Sequence, residues 1–566
     1  LPCVESDAES CPFVLTTYLQ KPGIGSYPIA SSLMSGSGVE LATREVALEG
    51  VSSAAPYRVQ PGRETLSVYD EASGEFIQTA RDFVYDAFGN VTLSTDHGFA
   101  DRLGDETTTI STYVPNLEAF ITGKLARVTT FNGTTNAGTV LFDTKYRYDN
   151  ASSDLVPPVV GLPTARLVWH DHTGDYLAHE FAYDRFGNVV SETGPEGATK
   201  WSRVFDSTGV FVDEARDALY ASDNRHAQLF TWDRVCGKPR LVGTPDRRTT
   251  EIQYDEYCRP IRIEGVLATT TSIDYIDATS FPGRSVRVRQ TAADASEEYW
   301  TRTYYDGVGR PYWVAAYRPY ASPADTIYRM WWYDERDRTV VSSRPHYSSE
   351  ILEGDVAPYL VRTFFDKQNR PTRIEDARGA SVRAWTYGLD SIEMTTADGT
   401  FTEWFNANGQ VTATRELFTR DFVVYEPQDV EYEYDARGNL RTISDGVGNE
   451  WWFDFDSVGL LHWEWDPNAG ARSYEYLPSG QLASSTDGRG QHTEYEFDAL
   501  GRLRAKRLGA ESTEQVEVSW NYDEPRTGYY NVGGVTSMID GHGRSMYNYD
   551  VAGRLVHRSR TVDNVV

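Results

Sequence analysis

Tyr434-Asp435-Ala436-Arg437-Gly438-Asn439-Leu440, Phe455-Asp456-Ser457-Val458-Gly459-Leu460, Tyr476-Leu477-Pro478-Ser479-Gly480-Gln481-Leu482 and Phe497-Asp498-Ala499-Leu500-Gly501-Arg502-Leu503 are four copies of one motif, each starting 21 residues after the last. A period of roughly 20–50 residues marks a repeat architecture and outranks any local reading. Between the copies lies a second turn signal: Asp445-Gly446-Val447-Gly448, Asp466-Pro467-Asn468-Ala469-Gly470 and Asp487-Gly488-Arg489-Gly490. Each unit therefore holds two turns and two strands. Asp at the first turn position accepts a backbone N–H two residues on, and Gly supplies the positive φ that closes the turn. The pairs Tyr432/Tyr434, Phe453/Phe455, Tyr474/Tyr476 and Tyr495/Phe497 are spaced i, i+2, so both rings of each pair fall on one face of a strand. Stacked units would align them in ladders, at roughly 0.2–1 kcal/mol per cross-strand pair.

Working outward, earlier copies are Tyr85-Asp86-Ala87-Phe88-Gly89-Asn90, Tyr183-Asp184-Arg185-Phe186-Gly187-Asn188 and Tyr305-Asp306-Gly307-Val308-Gly309-Arg310, and a late one is Tyr549-Asp550-Val551-Ala552-Gly553-Arg554-Leu555. Shorter traces begin at Phe205, Trp232, Tyr254, Tyr333, Phe365, Phe405 and Tyr522, giving about fifteen copies. With this many, the Asp-aromatic motif reads as a turn plus a packing surface, not as a sugar or metal site. The fold class is thus all-β, of stacked antiparallel hairpins. Two segments are expected: 1–80, a β-rich lead-in without clear copies, and 81–566, the repeat wall.

Composition agrees. Tyr (36), Trp (14) and Gly (46) are abundant, as strands and turns require. At 40% apolar the chain has enough to bury a large core. No apolar run of about 18 residues exists to cross a bilayer as a helix. A net charge of −29 opposes binding to nucleic-acid phosphates or anionic lipid.

The recurring Tyr-Asp-x-x-Gly-Arg/Asn-Leu, with Asp-x-x-Gly between copies, resembles the RHS or YD repeat of bacterial polymorphic toxins, of the B and C subunits of insecticidal toxin complexes, and of teneurins. Tyr304-Tyr305-Asp306-Gly307-Val308-Gly309-Arg310-Pro311 and Ser343-Arg344-Pro345-His346-Tyr347 look most like the toxin-complex B subunit. The resemblance covers about residues 81–566. It implies a spiral of stacked antiparallel β-hairpins enclosing a hollow shell that holds a C-terminal toxin or effector, and a secreted bacterial protein. The family's self-cleaving core domain carries Asp-Pro-x-Gly-Leu after the last repeats. That signature is absent here, so no catalytic residue is transferred.

About fifteen repeats of two strands would form a strip of about 30 strands, ~140 Å long at ~4.8 Å per strand and ~26 Å tall. Closed into a ring it would be about 45 Å wide, too narrow to seal around a folded cargo. More shell, in the same precursor or in a partner chain, is expected. The start at Leu1 and the stop soon after Tyr549 are read in the same way, as a processed product or a piece of something longer.

Four cysteines are present. Cys236 and Cys258 each lie four residues after the aromatic of their unit, and the units are 22 apart, so stacking would make them neighbours within disulfide range. A disulfide is expected there, two buried thiols being the alternative. Cys3 and Cys11 would close a small N-terminal loop. No Cys-x-x-Cys is present, which argues against zinc bound by thiolates. His170-Asp171-His172 is the one local ligand-like cluster. On a strand its histidines would share a face and need a third ligand from elsewhere; the stronger reading is a polar strand end entering the turn His172-Thr173-Gly174-Asp175. No metal or cofactor is expected. Neither Gly-x-Ser-x-Gly, His-Glu-x-x-His nor a phosphate-cradling Gly-x-x-x-x-Gly-Lys occurs. The leading expectation is a non-enzymatic shell segment whose partners are the enclosed polypeptide and further shell. The rivals are an extracellular adhesion module contacting glycans, and a polysaccharide-active enzyme on the same scaffold.

Overall fold

The repeat turn is built from its aspartate. In the computed structural model, Asp435 Oδ1 accepts the backbone N–H groups of Arg437 (2.9 Å) and Asn439 (2.8 Å), while Gly438 N–H donates to Asp435 O (3.0 Å). Asp498 and Asp550 repeat the arrangement with Leu500 and Arg502, and with Ala552 and Arg554. The closing glycines lie in the left-handed region, Gly438 at φ 89°, Gly501 at 79° and Gly553 at 76°. In three of the copies that lack that glycine, Cys258, Asp337 and Asn369 still adopt φ of 59°, 62° and 65°. The turn imposes the conformation, and glycine merely adopts it without strain.

Each turn joins two strands through a bulge at the aromatic residue: the register slips between Glu433 and Tyr434, Glu496 and Phe497, Asn521 and Tyr522, and Asn548 and Tyr549. The tyrosine hydroxyl then reaches the previous hairpin. Tyr434 donates to Val411 O (2.8 Å), Tyr333 to Pro311 O (2.6 Å), Tyr387 to Pro371 O (2.8 Å), Tyr522 to Leu503 O (2.8 Å) and Tyr549 to Val535 O (2.9 Å). Every one of these acceptors is the residue opposite the preceding bulge. A bulge breaks the ladder locally, so the tyrosine supplies a donor where the strand pairing falters. The ring is covered by the preceding turn's arginine: Arg310 over Tyr333 at 4.5 Å, Arg370 over Tyr387 at 4.2 Å, Arg502 over Tyr522 at 4.2 Å. The aromatic position thus has specific partners of its own, a carbonyl and a guanidinium, besides neighbouring rings.

The structure describes residues 12–562 except 22–24, 51–58, 71–74, 245–247, 267–268, 279–282, 292–297, 318–325, 348–359, 421–422, 425 and 510–514. Cys3 and Cys11 lie outside the described residues. Forty-four strands are described, no α-helix occurs among the described residues, and sequential strands pair antiparallel, for example Gln428–Tyr434, Leu440–Asp445, Glu450–Phe455 and Leu461–Asp466. The count exceeds the thirty or so expected, because stretches without a legible motif, such as Gln60–Tyr69 and Thr107–Tyr113, are strands as well. Strand Phe76–Tyr85 runs through residue 80, where legible copies begin.

The chain divides into two compact units, each discontinuous in sequence: Leu1–Ala178 with Arg362–Ala471, and His179–Val361 with Arg472–Val566. Inside each, turn residues of an early stretch meet turn residues of a late one. In the first unit Arg102 pairs with Asp390 (2.6 Å) and Arg437 donates to Leu141 O (3.1 Å); in the second Arg225 donates to Asp523 O (2.5 Å) and Arg248 to Val532 O (3.4 Å).

The large core that the apolar content permits is not formed among the described residues. Among the described residues, fully buried apolar side chains are few, and one small cluster, Val114, Ala126 and Tyr148, stands out. Many strand positions are half-buried, as throughout Val189–Thr193 and Gly399–Phe405. The apolar and aromatic residues pack along the sheet beside their strand neighbours rather than against a second layer, which leaves each partly exposed.

Candidate functional site

The repeat uses its Asp carboxylate in one way with few exceptions. Oδ1 takes the backbone, and Oδ2 takes the side chain four residues on. Arginine Nε fills this role at Asp255 (Arg259, 2.8 Å), Asp306 (Arg310, 2.7 Å), Asp334 (Arg338, 2.7 Å), Asp366 (Arg370, 2.7 Å), Asp498 (Arg502, 2.7 Å) and Asp550 (Arg554, 2.8 Å). Asparagine fills it at Asp86, Asp184 and Asp435 through Asn90, Asn188 and Asn439.

Asp456 breaks the rule. Its Oδ1 accepts Val458 N–H (3.0 Å) and Leu460 N–H (2.8 Å) as usual, but the fourth residue, Leu460, has no polar side chain to offer. Oδ2 instead meets two imidazoles: His170 Nε2 at 2.8 Å and His462 Nε2 at 3.1 Å. His170 and Asp456 are buried, at 7% and 1% exposure, and His462 is partly buried, at 10%. His170 ends the strand Pro163–His170, Asp456 opens the turn after Glu450–Phe455, and His462 sits in Leu461–Asp466. All belong to the first unit. Burial alone would raise the Asp456 carboxyl; the backbone N–H of Leu460, His170, the N–H of Val458 and His462 outweigh it and hold the group below its ordinary value.

The surroundings fix both turns rigidly. Asp171 N–H donates to Ser457 Oγ (3.0 Å), Ser457 N–H to Asp171 Oδ1 (2.8 Å), and Ser457 Oγ to Trp169 O (2.9 Å). Arg437 joins Asp171 Oδ2 at 2.7 Å. His170 Nδ1 lies 2.9 Å from Thr173 Oγ1. The His172 ring is exposed and stacks on His462, with centroids 3.8 Å apart. The sequence cluster is therefore divided: His170 faces inward, while His172 belongs to the turn that follows the strand. The two histidines of the sequence cluster do not act together: His170 is joined by Asp456 and His462, three groups in all. The signal for them was in the sequence, at Leu460, where sibling turns carry Arg or Asn.

A second buried histidine–aspartate contact occurs in the second unit. His226 Nδ1 lies 2.9 Å from Asp217 Oδ2 and its Nε2 3.2 Å from Asp523 Oδ2. There Arg502 also reaches Asp523, at 2.5 Å, so that carboxylate has a permanent cation beside it. Among the described residues no arginine or lysine pairs with Asp456.

The other candidate residues are placed as follows. Cys236 and Cys258 are disulfide-bonded, with Cα atoms 5.3 Å apart. Tyr434, Asp435 and Gly438, Phe497, Asp498 and Gly501, and Tyr549, Asp550 and Gly553 form the bulge-and-turn units described above and converge on no common site. A cavity of about 790 Å³ in the first unit is lined by Glu106, Thr130, Phe142, Gln410, Tyr432 and Arg437 among others. No helix among the described residues is long and apolar enough to cross a membrane.

The RHS repeat matches residues 476–513, a stretch that includes the turn at Asp498. No curated protein matches the sequence. Among solved structures the chain is similar to the TcdB2-TccC3 crystal structure (TM-score 0.76, 12% identity, 95% of this chain and 36% of that one). It is similar also to TcdB2-TccC3-Cdc42 (0.77, 11%, 95% and 38%) and to the Photorhabdus luminescens Tc holotoxin pore (0.76, 11%, 95% and 37%). At such identity the likeness is one of fold. The chain spans little more than a third of the length of the chains it matches.

Proposed function

We propose that this chain is a wall segment of a toxin-complex-type RHS shell, secreted by a bacterium, which encloses a toxin or effector polypeptide together with further shell, and that residues 1–80 lead into that wall. The observation that carries the reading is the likeness over 95% of the chain to the fold of TcdB2-TccC3. The chemistry of the sheet supports it. Most turn carboxylates are engaged by their own loops and the tyrosine hydroxyls by the preceding bulges. Half-exposed strand faces offer a broad surface for loosely holding a chain rather than a pocket for a small substrate. The Cdc42 and holotoxin-pore assemblies belong to the similar proteins; by analogy the partners here are shell subunits and cargo.

Purification of the protein from its producing cell, followed by graded proteolysis and mass spectrometry, tests this reading. A co-purifying polypeptide should resist protease until the β-wall is opened by denaturant, and then be digested at the rate of the free polypeptide. A protein that purifies empty, or whose companion is digested at the free rate from the start, refutes enclosure.

A further inference from the structure

We propose that His170, Asp456 and His462 form a divalent-cation site, of the class that takes Zn²⁺, which fastens the strand Pro163–His170 to the hairpin of Glu450–Phe455 and Leu461–Asp466. The inference is independent of what the wall encloses.

Three observations converge on it. First, the donor atoms form a compact set: two imidazole nitrogens and one carboxylate oxygen lie within 4.8 Å of one another. Two nitrogens and an oxygen, with one position left open, make a ligand set suited to zinc, whose bonds to such atoms run about 2.0–2.2 Å. Second, the surrounding contacts are of the kind that orients metal ligands. His170 turns its other nitrogen to Thr173 Oγ1 at 2.9 Å, so Nδ1–H can donate while Nε2 offers its lone pair. Asp456 Oδ1 is occupied by two backbone N–H groups, which aims Oδ2 at the histidines.

Third, the charge balance differs from that of the sibling turns. Six sibling Asp carboxylates carry an arginine at the fourth position, and Asp523 has Arg502. Asp456 is the most deeply buried of these, at 1% exposure, and Leu460 stands where the arginine would be. A buried carboxylate needs a compensating cation or a metal. Here two imidazoles come from separate stretches of chain, and a dication between them would neutralise the carboxylate and bridge the two stretches at once.

The test uses the full chain and Zn²⁺ or Co²⁺ alone. Metal-stripped protein is titrated with Co²⁺, followed by its visible absorption, and then loaded with one equivalent of Zn²⁺ for X-ray absorption. The expected results are one ion per chain, a tetrahedral-type cobalt spectrum, and a zinc shell of nitrogen and oxygen containing imidazole. His462→Ala should weaken binding by more than ~100-fold, since loss even of an outer-shell partner typically costs 10–100-fold. Leu460→Arg should do the same while preserving the fold, because it supplies Asp456 with the cation the sibling turns use. If His462→Ala does not fold, Leu460→Arg and the wild-type zinc shell carry the test. Absence of stoichiometric binding by the wild type, a shell without imidazole, or undiminished binding in a folded Leu460→Arg protein would each overturn the site.

Discussion

Replacing Cys258 separates two forces acting on one residue. Its disulfide to Cys236 closes a loop across a sequence separation of 22. In the chain-entropy treatment, a loop of that size contributes about 3 kcal/mol by restricting the opened ensemble. Cys258 also occupies the glycine position of its turn, at φ 59°. A non-glycine residue there costs roughly 1–2 kcal/mol, and glycine's extra freedom when unfolded takes back roughly 0.4–1 kcal/mol. In a Cys236→Ser background, Cys258→Ser therefore loses the cross-link and keeps the strain. Cys258→Gly loses the cross-link but recovers about 0.5–1 kcal/mol. Native-state hydrogen exchange of strands Ala227–Asp233 and Thr249–Tyr254 reads both. Protection should fall roughly 150-fold for the Ser variant, at 1.36 kcal/mol per tenfold, and two- to fivefold less for the Gly variant. Equal or faster exchange in the Gly variant would refute the claim that the turn, rather than the cysteine, dictates this backbone.

Three further outcomes follow from the same geometry. Tyr434→Phe removes the donor to Val411 O and should destabilise its hairpin by about 1 kcal/mol in denaturant unfolding monitored locally, whereas Phe497→Tyr, whose hydroxyl the sibling pattern would direct to Leu482, opposite the preceding bulge, should stabilise by about 0.5–1 kcal/mol. Asp143 is buried, which raises its carboxyl, but Arg127, Tyr176 and Thr129 outweigh that and hold it below the ordinary value. Its contribution is therefore fully present above about pH 4 and is lost as pH falls through the lower folded value; Asp143→Asn should be less stable at neutral pH and flatter in acid melts. Tyr176, which donates to Asp143, is pushed up to about 12 by burial and by that carboxylate, so absorbance titration should show it ionising after the exposed tyrosines.

Much of this was legible in the sequence, because the 21-residue spacing, the Asp turn and the i, i+2 rings are local rules. The turn bonds at Asp435 and Asp498 and the positive φ of Gly438 and Gly501 follow from residues within five positions of one another. What the motif could not supply was non-local. The hydroxyl of Tyr434 finds Val411, in the preceding hairpin, and nothing in Tyr-Asp-x-x-Gly names that acceptor. His170 finds Asp456 286 residues later, a separation set by how the first unit folds back on itself. Stretches such as Gln60–Tyr69 are strands through pairing with their neighbours, not through a motif, which is why counting motif copies undercounts strands. The composition misled in one respect: apolar content fixes how much can be buried, but a sheet whose side chains pack along it leaves most of them half-exposed.

The repeat has an economy that explains where specific chemistry arises in it. Most Asp turns use Oδ1 for their own backbone and leave Oδ2 available, and the residue four positions on then largely decides what that oxygen does. Arginine there closes the carboxylate and covers the next tyrosine. Asparagine closes it and binds a neighbouring carbonyl, as Asn90 does at Thr122 O and Asn188 at Gly209 O. An apolar residue leaves it open to whatever the fold delivers. At Asp206, where Val210 is the fourth residue, Thr208 and the more distant Arg234 take the carboxylate and hold it at about 2. At Asp456 the fold delivers two histidines. Substituting the fourth residue therefore changes the chemistry of a turn without changing its shape. Valine or leucine at that position in an otherwise regular copy marks, from sequence alone, the turn whose carboxylate is bound by something outside its own loop.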